Sequence, residues 1–202
     1  MKVLSKGTQK AFQIIFVLII LNLLFWLYSL VGLLILGVGP SLITITELFL
    51  NNKFEYRKYS VKDGWKIFKK NFVTSNLHFY AFLIADVFLF YDLYIGSQIK
   101  MIWMLPISIL LIFLIIFISI VGLYTLITES TFEIDFKNAI KLSLYAFFAD
   151  FKGLMLFIVG AGIIVIISGL WPGLILFLSI STLIVWCNYS SKSWLDEISE
   201  KL

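Results

Sequence analysis

The chain has 202 residues, is 61% hydrophobic and 17% aromatic, and only 14% of its residues are charged. One soluble core of this length could not hide so much apolar surface, so composition excludes an ordinary soluble domain and points to a protein that lives in a membrane. The net charge of +4 then reads as loop charge beside an anionic leaflet, not as a nucleic-acid footprint.

The chain starts with MKVLSKGTQK, which is basic like a signal n-region. The apolar run behind it is too long for a signal h-region and has no small-x-small cleavage site, so it should stay attached as a span. That run, residues 11–50, has Glu47 as its only charge. Forty helical residues would be about 60 Å long against a hydrocarbon core of about 30 Å, so the tract has length for two crossings. Gly37-Val-Gly-Pro40 combines backbone freedom with a residue that cannot continue a helix from behind it, and reads as the extracytoplasmic turn of a hairpin. Gly37, Gly39 and Pro40 are therefore the candidate helix-breaking residues, with spans over 11–36 and 40–53. The second leg is short, roughly 20 Å at helical rise. It either crosses with Lys53 snorkelling, or re-enters on the side it left.

Residues 60–73 read as an amphipathic helix. Val61, Trp65, Phe68 and Phe72 share one face, Lys62, Lys66, Lys69 and Lys70 occupy the rest, and Ser60 with Asp63 resembles a capping box. Apolar runs over 77–95 and 101–127 follow as the second hairpin. A second amphipathic helix over 135–150, capped by Asp135, has Phe136, Ile140, Leu144 and Phe147 on its apolar side. Runs over 154–170 and 172–188 form the third hairpin, and Ser193-Trp-Leu-Asp-Glu-Ile198 ends the pattern with a shorter amphipathic foot.

Basic side chains decide the topology. With two crossings in 11–50, fifteen of the sixteen Lys and Arg residues fall on one side and only Lys100 on the other; with one crossing the best split is twelve to four. Because Lys and Arg collect in cytoplasmic segments near span ends, the expected fold is an all-α polytopic membrane helix bundle. It has six spans in three hairpins, cytoplasmic amphipathic helices, both termini in the cytoplasm, and one domain over residues 1–202.

Polar residues inside these runs are the candidate sites. Asp86 sits mid-run in 77–95, where a carboxylate costs about 2.5–3.5 kcal/mol on insertion scales. It is expected to bond a neighbouring helix or to serve a proton, cation or solute path. Glu47 belongs either to a polar path with Thr44 and Thr46 or to the inner headgroup zone, and Asn22 is expected to hydrogen-bond across the first hairpin. His78 has no cluster of ligands beside it in sequence, so metal ligation is not expected. Cys187 is the lone cysteine; it can form no intrachain disulfide, and it reads as an unmodified thiol ahead of a lipidation site. The Trp65 helix, with Phe68, Phe72 and the four lysines, reads as a contact for lipid or for a cytoplasmic partner.

Asn22-Leu-Leu-Phe-Trp26, Gly32, Gly37-Val-Gly-Pro40, Trp65-x-x-Phe68-x-x-Asn71-Phe72 and Asp92-Leu-Tyr94, in that order, resemble the YesL family of small bacterial membrane proteins, a domain of unknown function. The resemblance implies an accessory role beside carbohydrate-uptake ABC transporters of Gram-positive bacteria, in the cytoplasmic membrane, and brings no catalytic residues. The expectation is a non-enzymatic membrane accessory that meets lipids and the permease or ATPase subunits, without cofactor, metal or nucleic acid. The alternative is a stand-alone small-solute or ion transporter with Asp86 in its pathway. The chain has no phosphate-binding loop, metal cluster or nucleophile–base pair legible in sequence, which argues against an enzyme.

Overall fold

The structure is a computed structural model and describes residues 2–99, 101–132 and 134–200; Lys100 and Lys201 of the charge argument lie outside them. The described residues form eight helices, α1 (Lys2–Val31), α2 (Val38–Asn52), α3 (Val61–Gln98), α4 (Met104–Phe132), α5 (Phe136–Ala149), α6 (Phe151–Leu170), α7 (Ile175–Ser190) and α8 (Lys192–Ser199), with no strand among them. Four are long and apolar enough to cross a membrane: α1 from Gly7, α3, α4 and α6. α7 is a shorter apolar helix whose first residues, Ile175–Ser179, make a π turn. α2 has 15 residues, about 22 Å at helical rise.

That short helix is the centre of the molecule. α2 packs against α1, α3, α4 and α7, and nine of its residues are buried, four of them Gly39, Ser41, Thr44 and Thr46. Small side chains let neighbouring backbones approach it from several sides. The hydroxyls of Thr44 and Thr46 donate to the carbonyls of Pro40 and Leu42, each at 2.7 Å, so both are satisfied within α2 and build no path with Glu47. Two apolar clusters flank it. One joins α1, α2, the start of α3 and α7 around Tyr28 and Ile45; the other joins α4, α5, α6 and α8 around Tyr124 and Trp194.

Three boundaries differ from the sequence reading. The amphipathic stretch 60–73 and the apolar run 77–95 are not separate elements but one continuous helix, α3. Thr74, Ser75 and Asn76 lie between them, and such residues are weak helix breakers when their side chains bond locally. Asn76 does so, donating to Phe72 O at 2.9 Å. Ser60 caps α3 as expected, accepting from Lys62 N at 3.2 Å, while Asp63 pairs instead with Lys66.

The chain reversal after α1 occupies residues 32–37, ahead of Pro40. Leu33 (φ 58°) and Leu34 (φ 61°) supply its left-handed backbone, and no described glycine has positive φ. Gly37 closes a 3-10 turn, while Gly39 and Pro40 lie in the first turn of α2, where proline is tolerated. The glycines serve close approach instead. A Cβ on Gly37 would run into the Ser29 backbone, and one on Gly39 would lie 2.9 Å from Ser75 O. The third difference concerns the feet. Asp135 stands at the N-cap of α5 without a side-chain cap bond, whereas Asp150, not singled out in the sequence, caps α6 by accepting from Gly153 N at 2.9 Å.

Candidate functional site

Three helices each present one polar-studded stripe to a common seam. On α3, Asn71, Ser75, His78, Phe82 and Asp86 recur at spacings of four, three, four and four, so they share a face. Antiparallel to it, α4 presents Ser119, Gly122, Leu126 and Glu129; α2 presents Gly39, Ile43 and Glu47, one turn apart. At Gly122 α4 comes close to α3, since a Cβ there would stand 3.1 Å from the Phe82 ring.

The stripes enclose two cavities. The larger, about 460 Å³, is lined by Glu47, Lys70, Asn71, His78, Glu129 and Asp135, among others. The smaller, about 210 Å³, runs on along α3 between Phe79, Phe82, Leu123 and Leu126 to Asp86 and Ser119. Ile43, Ser75, His78 and Glu129 line both, so the cavities meet at these four residues.

Along this seam, polar groups pair from one helix to another. Asn71 Nδ2 donates to Glu47 Oε1 at 2.8 Å, joining α3 to α2. His78 Nδ1 lies 2.8 Å from Glu129 Oε1, joining α3 to α4, with side chains only 14% and 11% exposed. The contact is close but lacks good hydrogen-bond geometry. The Phe136 ring lies flat on the imidazole, 3.8 Å away and 6° from parallel. Ser119 Oγ donates to Asp86 Oδ2 at 2.9 Å. Asp86 Oδ1 and the hydroxyl of Ser75, a residue 2% exposed, make no hydrogen bond to any described residue.

Chemically, a histidine in contact with a carboxylate can hold one proton in two arrangements of equal net charge. These are imidazolium with carboxylate, or neutral imidazole with carboxylic acid. Among the described residues no group of three His, Cys, Asp or Glu side chains is arranged to hold a metal ion.

Asp86 therefore sits in the smaller cavity and Glu47 in the larger. Asn22 is elsewhere: fully buried, it reaches not across the first hairpin to α2 but to the start of α7. Its Nδ2 donates to Ile175 O at 2.9 Å, and its Oδ1 accepts from the N–H groups of Ile180 and Ser181 at 3.1 and 3.0 Å. A π turn upsets the regular i to i−4 ladder, and the amide supplies bonds where α7 begins. Cys187 is fully buried, which closes it to acylation.

The Trp65 face is partly turned inward. Phe68 is buried and stacks on Tyr28 and Trp65, Trp65 and Phe72 are half-buried, and Val61 is exposed. Lys66 pairs with Asp63 at 3.3 Å, Lys69 lies 5.0 Å over the Trp65 ring, and Lys62 is exposed, while Lys70 lines the larger cavity. In the loop after α2, Tyr59 donates to Lys53 O at 2.5 Å.

Sequence reading missed the His78–Glu129 pair because the carboxylate comes from another helix. Two signals were present: His78 and Asp86 share the α3 stripe, and Glu129 stands just past the end of the apolar run 101–127. No curated protein and no solved structure matches the chain. A family model described as "Protein of unknown function, DUF624" matches residues 18–93, the stretch of α1 to α3 that carries Asn22, Glu47, His78 and Asp86.

Proposed function

We propose that the chain is a six-crossing protein of the bacterial cytoplasmic membrane, of the YesL kind, with both termini in the cytoplasm. In this reading it works without catalysis as an accessory of a carbohydrate-uptake ABC transporter. The stretch matched by the family model, 18–93, contains nearly all the residues on which the YesL resemblance rests. The inward topology draws support from the gathering of Lys53, Thr131, Asn188 and Lys192 around one cavity, which brings the ends of α2, α4 and α7 together.

The observation that carries the accessory role is the arm formed by the far halves of α3 and α4. No residue in 77–95 or 101–114 is buried, and the exposed side chains are apolar nearly all round, Ile84, Phe88, Ile109 and Phe113 among them. Such a two-helix projection suits lateral docking on permease helices within the bilayer, where van der Waals packing drives association. Co-purification with a sugar permease or its ATPase in mild detergent is expected, with loss of sugar uptake in a deletion strain. Recovery of the protein alone together with unchanged uptake would refute this reading.

A second reading, a stand-alone transporter for a small solute or ion, is favoured by one observation: Asp86 lines a cavity that continues past His78 and Glu129 into a larger one. Its test is solute flux into liposomes holding the protein alone, with Asp86→Asn expected to abolish it. Flux that persists in that variant would remove Asp86 from the path.

A further inference from the structure

We propose that the seam between α2, α3 and α4 is a proton-loading path in which the His78–Glu129 pair passes a proton through the smaller cavity to Asp86. This deepens the second reading, because it uses the same cleft, but it does not depend on which solute is carried. Ionisable side chains inside membrane helices are rare, and chains of Asp, Glu and His there are the usual parts of proton relays.

The geometry supplies donor, acceptor and route. The pair stands where the two cavities meet, lining both. On its outer side the larger cavity brings it beside Glu47 from α2, Lys70 from α3 and Asp135 ahead of α5, groups able to exchange protons with water. On its inner side, among the described residues, the only other ionisable group lining the smaller cavity is Asp86 from α3. Phe136 covers one face of the imidazole, which leaves the ring edge to Glu129.

The walls between the pair and Asp86 are apolar apart from Thr125, whose hydroxyl already donates to Val121 O, so water must carry the proton. A cavity of about 210 Å³ has room for several waters at roughly 30 Å³ each. Such waters need polar anchors, and Glu129 at one end and Ser119, which bonds Asp86 Oδ2, at the other line this cavity.

The transfer balances without any other reactant. Before it, the pair holds one proton and is neutral overall, and Asp86 is a carboxylate. Afterwards Asp86 is a neutral acid and the pair is neutral imidazole with carboxylate, carrying the negative charge. The pair then regains a proton from water in the larger cavity.

The experiment is a pH jump on the full chain in liposomes, followed by time-resolved infrared absorption of carboxylic acid groups. Asp86→Asn identifies the Asp86 band. Glu129→Gln and His78→Asn are each expected to slow the appearance of that band by on the order of a hundredfold, while its final amplitude is kept. Ile84→Ala, on the exposed face of α3 away from both cavities, is expected to leave the rate within the wild-type range. Wild-type rates in both pair variants would overturn the proposal, as would the lack of any Asp86 band in the wild type. Two pair variants guard against one misfolding. Failure of solute flux with the band kinetics intact would sink the transporter reading alone.

Discussion

α2 and the α3–α4 arm face opposite surroundings. In α2 the buried residues are small or hydroxylated as often as they are large, and four other helices close around it. In the arm, long aliphatic and aromatic side chains point outward and no residue of 77–95 is buried. The difference shows how a membrane protein inverts the soluble rule. Lipid already accepts large apolar groups, so burial goes to residues that fit tightly and bond locally. Length and hydropathy mark the arm's helices as spans, and the small and hydroxylated side chains of α2 mark it as the packed centre.

Truncating a side chain in each region gives the strongest test. Ile45, in α2, is fully buried, while Ile84, on the arm, is 66% exposed. Ile45→Ala is expected to cost about 2–5 kcal/mol, and Ile84→Ala to stay within about 0.5 kcal/mol, measured by unfolding in mixed micelles. Equal losses at the two sites would mean that the arm is as closely packed as the centre. A smaller but still large effect is expected at Asn22, whose amide joins α1 to α7 through three hydrogen bonds. Asn22→Leu removes all three and leaves backbone groups near the π turn without partners, at about 2 kcal/mol. Faster hydrogen exchange at Ile180 and Ser181 would locate the loss.

These expectations also mark what was legible in the sequence. The all-helical class follows from composition and period, because it is a property of single segments. The partner of Asn22 was not legible, since an amide in an apolar run states a need for a bond without naming the helix that meets it. His78 looked isolated for the same reason: Glu129 reaches it only once α3 and α4 lie side by side. The glycines of the first reversal were read for flexibility, yet what fixes them is the approach of backbone to backbone at Ser29 and Ser75. Sequence shows that a glycine is present but not which of its two uses the fold has taken.

Where α3 begins, Tyr28 ties it to α1 by a hydrogen bond and a ring stack. Tyr28 is fully exposed to none of its surroundings except protein, and its Oη donates to Val61 O at 2.8 Å while the ring stacks on Phe68. Tyr28→Phe keeps the stack and removes the bond. The expected cost is about 1 kcal/mol, half that of the Asn22 variant, with exchange quickening in the first turns of α3 and not along the arm. Exchange that quickens along the arm instead would mean that the two regions unfold as one.

The smallest expected effect has the opposite sign. Leu33 holds φ at 58° on the rim of the packed region and is 81% exposed, so its side chain contributes little contact while its Cβ strains the left-handed backbone. Leu33→Gly removes that strain but gives the unfolded chain more freedom, two terms of similar size. Relief of the strain, about 1–2 kcal/mol, exceeds the entropic loss of about 0.4–1 kcal/mol, and a net gain of about 0.5 kcal/mol should raise the midpoint of unfolding. The same exchange in reverse at Gly37, Gly37→Ala, should lower it, because there the added Cβ meets the Ser29 backbone. Two substitutions four residues apart would thus shift stability in opposite directions. If Leu33→Gly instead destabilises the protein, the leucine must be held by contacts with lipid or a partner, and the rim of the packed region extends further than the chain alone shows.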